Sequence, residues 1–212
     1  FKRWDTVRKH YEKRRELYIE QIPFSDFLAF HHVFRKIPKD YQVHLANSST
    51  VRYAQLFSLE ESLRIFCNRG TSGIDGSTST AVGAAFYESS PTVLITGDMS
   101  FYYDSNGLWN NYLNKNFKII LINNSGGGIF RILPGNDNSK KFETFFETVQ
   151  EQNALHLCQQ FGIAYSRVTT EKELTEALSD LFITATGPQL LEVVTPRKVN
   201  DKILRTYFDF IS

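Results

Sequence analysis

Apolar and polar residues change period along this chain, and those changes mark its elements. Over residues 2–20 the apolar positions Trp4, Val7, Tyr11, Leu17 and Tyr18 recur at roughly helical spacing inside a densely charged segment. That pattern predicts an exposed amphipathic helix. After Pro23, Ser25 is placed to cap a helix running to about Lys36. Strands are expected over 41–46, 64–67, 92–96, 117–122, 163–167 and 190–194. Helices are expected over 50–57, 77–87 and 105–114, as one or two segments within 142–161, and from Thr170, where Glu173 completes a capping box. Several strands are short, continuous apolar runs, as sheets covered by helices on both faces require. The alternation predicts a three-layer α/β/α domain with a doubly wound sheet of about six parallel strands. Residues 134–141 are too polar to bury and read as a loop.

Composition narrows the function classes. Of 212 residues, 24 are Lys or Arg and 23 are Asp or Glu, for a formal charge of +1. A dedicated nucleic-acid binder would carry a clear cationic excess, so no nucleic-acid partner is expected. The first helix concentrates seven basic residues (Lys2, Arg3, Arg8, Lys9, Lys13, Arg14 and Arg15), which a solvated face accounts for most simply. Hydrophobic residues make up 42% and charged residues 22%, a globular balance. Cys67 and Cys158 make no disulfide framework and suit a reducing compartment. No apolar run approaches the ~20 residues of a membrane span. A cytoplasmic location, with no transmembrane segment, is the expectation. The chain opens on Phe1 and its one methionine is Met99. It reads as a piece of something longer, with 1–22 a lead-in helix or linker from an upstream domain and 23–212 a ligand-binding domain.

In such a sheet, ligands bind beyond the carboxyl ends of the strands. Four consecutive ends carry small, polar or charged residues: 47–52, 68–76, 97–100 and 123–128. Asp98 ends one strand and Asn124 the next, and a right-handed crossover brings such ends onto one rim. A carboxylate, an amide oxygen and glycine carbonyls form a hard, all-oxygen set suited to Mg²⁺ or Ca²⁺. Magnesium keeps waters or phosphate oxygens in its shell, so a phosphorylated ligand is implied. Backbone N–H groups after Gly73, Gly76 and Gly126 are candidates to cradle it. The plainer alternative makes Asp98 a helix cap and Asn124 a turn residue. Gly126-x-Gly128-x-x-Arg131 lacks the third glycine of a dinucleotide fingerprint, and no P-loop string occurs. His10, His31, His32, His44 and His156 show no metal-ligand spacing. Cys67 has Arg69 nearby, which can lower a thiol pKa, although an inert buried thiol is the simpler reading.

Gly97-Asp98, followed by Asn123-Asn124 one βαβ unit later, resembles the thiamine diphosphate signature of the pyruvate-decarboxylase-like enzymes. The longer strings Asn68-Arg69-Gly70-Thr71-Ser72-Gly73-Ile74-Asp75-Gly76, Gly97-Asp98-Met99-Ser100-Phe101 and Asn123-Asn124-Ser125-Gly126-Gly127-Gly128-Ile129-Phe130, with Asn47-Ser48 and Arg52, resemble the SEPHCHC synthase family (2-succinyl-5-enolpyruvyl-6-hydroxy-3-cyclohexene-1-carboxylate synthases) of menaquinone biosynthesis. Met99 stands where the general signature has glycine, and Ser125 where relatives often have asparagine. The resemblance implies the C-terminal diphosphate-binding domain of a transferase that needs thiamine diphosphate and Mg²⁺. Asp98, Asn124 and the Gly126 carbonyl would hold Mg²⁺. Ser48, Gly73, Ile74 and Ser100 would contact the cofactor, with Ile74 as an apolar wedge. Arg52 and Arg69 would pair with substrate carboxylates, and Ser48, Ile129 and Phe130 would line the substrate pocket.

The implied reaction decarboxylates 2-oxoglutarate and adds the succinyl carbanion equivalent to isochorismate. The activating glutamate would come from the N-terminal pyrimidine-binding domain of a partner subunit in a homo-oligomer, a dimer or tetramer. No catalytic residue is therefore expected on this chain, which alone should be inactive and bind cofactor weakly. Two other readings stay open: a domain of another thiamine-diphosphate-dependent 2-keto acid decarboxylase or carboligase, and a non-catalytic phosphate-ligand or assembly module.

Overall fold

The computed structural model describes residues 2–133, 139–183 and 186–212. In chain order its elements are α1 (Lys2–Ile19), α2 (Asp26–Lys36), β1 (Gln42–Leu45), α3 (Ser49–Ala54), β2 (Arg64–Cys67), α4 (Ser77–Tyr87), β3 (Thr92–Gly97), α5 (Asp98–Tyr103), β4 (Phe117–Asn123), α6 (Ile129–Ile132), α7 (Lys140–Phe145), α8 (Leu155–Gln160), β5 (Ala164–Val168), α9 (Glu171–Leu181), β6 (Gln189–Val194) and α10 (Asn200–Ile211). The six strands form one sheet in the order β2-β1-β3-β4-β6-β5, with every pairing parallel. This is the doubly wound architecture the apolar runs imply.

Alternation along each central strand feeds two cores. Val93, Ile95, Ile120, Ile122, Leu191 and Val193 face one layer, where Phe27, Phe30 and Val33 of α2, Leu174 and Leu178 of α9, and Ile203 and Tyr207 of α10 pack. Leu94, Ile119, Leu121 and Leu190 face the other, against Ala81 and Ala85 of α4, Phe101 of α5 and Cys158 of α8. Every residue of β4 is buried, which is why its sequence shows no polar alternation. The local signals behave as read: Ser25 caps α2 through the Leu28 N–H, and Thr170 with Glu173 forms the capping box of α9.

Some elements differ from the sequence expectation. No α-helix spans 105–114. The chain is helical at α5, then makes one 3₁₀ turn at Ser105–Leu108, then runs irregularly to β4. Asn side chains compete for the backbone there: Asn110 Oδ1 accepts from the Tyr112 N–H and Asn114 Oδ1 from the Asn116 N–H. The helical stretch expected in 142–161 is two short helices, α7 and α8, separated by an irregular strap. Residues 134–138 of the expected loop lie outside the described residues, and Lys140 and Lys141 already belong to α7. Helix α10 was not expected, although Ile203, Leu204, Tyr207 and Ile211 recur at helical spacing. Helix α1 rests on it: Tyr18 is buried and donates its hydroxyl to the Ile203 carbonyl, and Arg14 donates to the Phe210 carbonyl. Among the described residues no helix is long and apolar enough to cross a membrane.

Candidate functional site

Strand order reverses between β1 and β3, and that reversal opens a crevice at their carboxyl ends. Register sets what meets there. Leu45 of β1 lies beside Ile95 of β3, and Gly97 of β3 lies beside Ile122 of β4. Asn47, Asp98 and Asn123 therefore leave the sheet at nearly one level. A cavity of about 350 Å³ occupies this rim; its wall includes Asn47, Ser48, Ile74, Asp98, Ser100, Asn124, Gly126, Ile129, Phe130 and Phe146.

Asp98 opens α5 and is buried. Its Oδ1 accepts from the Met99 N–H at 2.8 Å; its Oδ2 accepts from the Gly126 N–H at 2.7 Å and from the Gln150 side-chain amide at 2.6 Å. Burial pushes its carboxyl up to about 6, while the Gln150, Met99 and Gly126 donors pull the other way. The cap of α5 is Gly97, not Asp98; the Asp98 carboxylate instead bridges the ends of β3 and β4 through the Gly126 N–H.

Asn124 is buried beside it. Its amide nitrogen donates to Asp26 Oδ2 at 2.7 Å, and its Oδ1 takes no hydrogen bond from the described residues. Asn123 faces the other way, donating to Glu192 Oε1 on β6 and to the Gln152 carbonyl. Of two adjacent asparagines, only the second lines the cavity. Ser125 adopts φ 65° and Gly126 φ 138°, both left-handed backbone. A Cβ on Gly126 would sit 2.6 Å from the Glu147 carbonyl oxygen, so the strap between α7 and α8 leaves room for glycine alone. The Gly126 carbonyl accepts from the Gly128 N–H at 2.9 Å and keeps one lone pair.

Three oxygens with spare acceptor capacity therefore belong to residues that line one cavity: Asp98 Oδ1, Asn124 Oδ1 and the Gly126 carbonyl. This donor set suits a hard dication that completes its shell with phosphate oxygens. Among the described residues no three His, Cys, Asp or Glu side chains cluster as a metal site, so a cation here needs neutral oxygens beside carboxylate.

The other sequence-chosen residues divide. Ser48, Ile74, Ser100, Ile129 and Phe130 line the cavity. Ser100 donates to the Ile74 carbonyl at 2.6 Å, tying α5 to the loop after β2. Gly73 does not line it; its carbonyl is taken by Asn47 at 2.7 Å. Arg52 and Arg69 are exposed and off the cavity wall. Arg52 donates to the Ser48 carbonyl and Arg69 to Asn47 Oδ1, each at 2.8 Å, so both stand beside wall residues.

One expectation, of backbone N–H groups that cradle phosphate, is corrected in part. Of the N–H groups after Gly76, that of Ser79 is not free for phosphate, because the carboxylate of Asp104 accepts from it and from the Ser79 hydroxyl; after Gly126, those of Gly127 and Gly128 are taken by the Glu147 and Gly126 carbonyls. Cys67 follows the simpler reading of an inert thiol: burial raises its pKa and outweighs Arg69, and burial pushes Cys158 up to about 12.

Sequence reading missed Asp26, Asn47, Glu147 and Gln150. Glu147 is fully buried, lines the cavity, and binds Arg131 through both carboxylate oxygens and Arg197 at 2.8 Å. Its carbonyl accepts from the Gly127 N–H at 2.6 Å, locking the strap to the glycine loop. The one usable signal was Asn47, which sits in the string Asn47-Ser48 directly after β1.

Residues 47–193 match the family model described as thiamine pyrophosphate enzyme, C-terminal TPP binding domain. The chain is 52% identical over 200 residues to the 2-succinyl-5-enolpyruvyl-6-hydroxy-3-cyclohexene-1-carboxylate synthase of Christiangramia forsetii, covering 94% of this chain and 35% of that protein. The synthase of the same name from Flavobacterium johnsoniae is 50% identical, covering 98% of this chain and 38% of the relative; that from Porphyromonas gingivalis is 40% identical, covering 99% and 36%. The chain thus spans little more than a third of these relatives' length. The crystal structure of benzoylformate decarboxylase from Polynucleobacter necessarius superposes with a TM-score of 0.69 over 84% of this chain and 34% of that one, at 18% identity, a likeness of fold.

Proposed function

Because the chain belongs to the thiamine pyrophosphate enzymes, as their C-terminal TPP binding domain, we propose that it is the cofactor-holding part of a SEPHCHC synthase acting in menaquinone biosynthesis. The observation that carries this reading is that Asp98, Asn124 and Gly126, each with an oxygen that has acceptor capacity to spare, line one cavity at the rim where β3 and β4 end. The synthase relatives at 50–52% identity support the choice of reaction.

In this reading Asp98, Asn124 and Gly126 hold Mg²⁺, and the cation anchors the diphosphate of thiamine diphosphate. Ser48, Ile74 and Ser100 contact the cofactor from the cavity wall, and Gly73 acts through the loop that Asn47 fixes. The bound cofactor supplies an electron sink for decarboxylating a 2-oxo acid. The chain's own residues bind and orient. Arg52 and Arg69 offer guanidinium groups to the carboxylates of 2-oxoglutarate and isochorismate, and Ile129 and Phe130 shield the pocket from water. Residues 1–22 lead in from upstream domains and 23–212 form the diphosphate-binding domain of a cytoplasmic homo-oligomer. The carboxylate that activates the cofactor comes from a pyrimidine-binding domain of a partner subunit. Among the described residues Glu147 is the one glutamate on the cavity wall, and its carboxylate is committed to Arg131 and Arg197.

A chimera tests the assignment: this chain replaces the corresponding third of the Christiangramia forsetii relative. The chimera should consume 2-oxoglutarate only with isochorismate as acceptor, while this chain alone consumes neither. Arg52→Ala or Arg69→Ala in the chimera should raise the KM for 2-oxoglutarate. A folded chimera that binds cofactor but prefers a monocarboxylic 2-oxo acid would overturn the substrate choice.

A further inference from the structure

Gln150 lies in the strap between α7 and α8, outside the cavity wall and 52 residues from Asp98. Its side-chain amide donates to Asp98 Oδ2 at 2.6 Å and to Asn123 Oδ1 at 3.1 Å. Its own carbonyl oxygen accepts from the Gln152 N–H, and its backbone N–H donates to the Ser125 carbonyl at 3.3 Å. Every polar group on this side chain has a partner, so the amide cannot turn away without losing several bonds.

The consequence falls on Asp98. A carboxylate has about four acceptor positions, two on each oxygen. Oδ2 spends both, on the Gly126 N–H and on Gln150. Oδ1 spends one, on the Met99 N–H, and keeps one. From this we infer that Gln150 is a positioning residue that makes Asp98 a one-oxygen ligand and thereby sets the site for Mg²⁺ over Ca²⁺. The inference rests on the proposed cation site at Asp98, Asn124 and Gly126.

The chemistry behind it is coordination number. Mg²⁺ demands a near-ideal octahedron at short distance, and one carboxylate oxygen takes one vertex of it. Ca²⁺ accepts six to eight oxygens at longer range and welcomes a carboxylate gripping with both. Removing the Gln150 donor frees a lone pair on Oδ2. Asp98 then has the option of two-oxygen binding, which serves Ca²⁺ and not Mg²⁺. A plain structural brace predicts something different: loosening the strap would weaken both ions alike.

The test is calorimetric titration of this chain with Mg²⁺ and with Ca²⁺, at saturating thiamine diphosphate, for wild type, Gln150→Met and Gln150→Glu. Methionine keeps the length and removes the donor. Glutamate keeps the acceptor for the Gln152 N–H and covers the case in which the methionine variant does not fold, judged by circular dichroism. The expected result is a loss of about tenfold or more in Mg²⁺ affinity for Gln150→Met, with a smaller change for Ca²⁺. In both variants the Ca²⁺-to-Mg²⁺ affinity ratio rises. A ratio that stays at the wild-type value, with both affinities falling together or neither moving, overturns the inference and leaves the cation site standing. A wild-type chain that binds neither ion overturns the site and the inference together.

Discussion

Asn124 gives its side-chain amide to Asp26, 98 positions earlier in the chain, at 2.7 Å. The other Asp26 oxygen accepts from the Thr195 hydroxyl at 2.5 Å. One buried carboxylate at the start of α2 thus ties the ends of β4 and β6 and orients the amide so that its oxygen is left over for a ligand. Replacing Asp26 by Asn removes a charged acceptor and lets the Asn124 amide turn. Mg²⁺ affinity in the presence of thiamine diphosphate should fall by about 10–100-fold, as measured by calorimetry, with circular dichroism unchanged. Unaltered affinity would show that Asp26 does not orient Asn124.

Gly126 should tolerate no side chain. Its φ of 138° is one that L side chains rarely adopt, and a Cβ there meets the Glu147 carbonyl at 2.6 Å. Gly126→Ala should cost about 1–3 kcal/mol through backbone strain and displace the Gly126 carbonyl. Urea unfolding and Mg²⁺ titration of the same sample should both register the change. In contrast Gly83, whose Cβ would meet open space in the middle of α4, should accept Ala with a gain of up to ~1 kcal/mol.

The strap is pinned by charge. Glu147 is fully buried between Arg131 and Arg197, and Glu143 joins the group at 3.1 Å from Arg197. Removing one partner of a buried pair strands the other. Glu147→Ala should therefore destabilise the chain by about 3–5 kcal/mol in urea unfolding. Exposed Arg8 with Asp5 is the control: Asp5→Ala should leave the urea midpoint nearly unchanged.

Burial holds the His44 imidazole down to about 4, with its Nε2 lacking a partner among the described residues and its ring stacked on Phe66 at 5.2 Å. In the unfolded chain histidine titrates near 6.5. Between those values the unfolded state binds a proton that the folded state does not. The contribution of His44 is therefore fully present above about pH 6.5 and is lost as the pH falls toward 4. The buried carboxyls Asp26 and Asp98, pushed up to about 6, act in the opposite sense, so the effect is read as a difference. Wild type should lose about 1–3 kcal/mol relative to His44→Phe between pH 7 and pH 4. A pH-independent difference would mean that His44 charges freely in the fold.

The sheet was legible because its central strands are short apolar runs, and Asp98 and Asn124 were legible because small polar strings follow two of them directly. What holds those two residues was not. Asp26 and Gln150 look like any polar residue near a helix start or in a loop, and they reach their partners across 98 and 52 positions. No local pattern carries that information. The expected helix at 105–114 failed for a local reason, since Asn110 and Asn114 cap backbone N–H groups that a helix would need. Helix α10 had a readable stripe, and its packing against Tyr18 shows why that stripe exists.

The central claim is that Asp98, Asn124 and Gly126 grip one hard dication and through it a diphosphate. Calorimetric titration of this chain with thiamine diphosphate, with and without Mg²⁺, on wild type and Asp98→Ala, tests it most directly. The account predicts saturable binding that requires Mg²⁺ and disappears in Asp98→Ala. Binding of equal strength without Mg²⁺, or binding that survives in a folded Asp98→Ala chain, would contradict it.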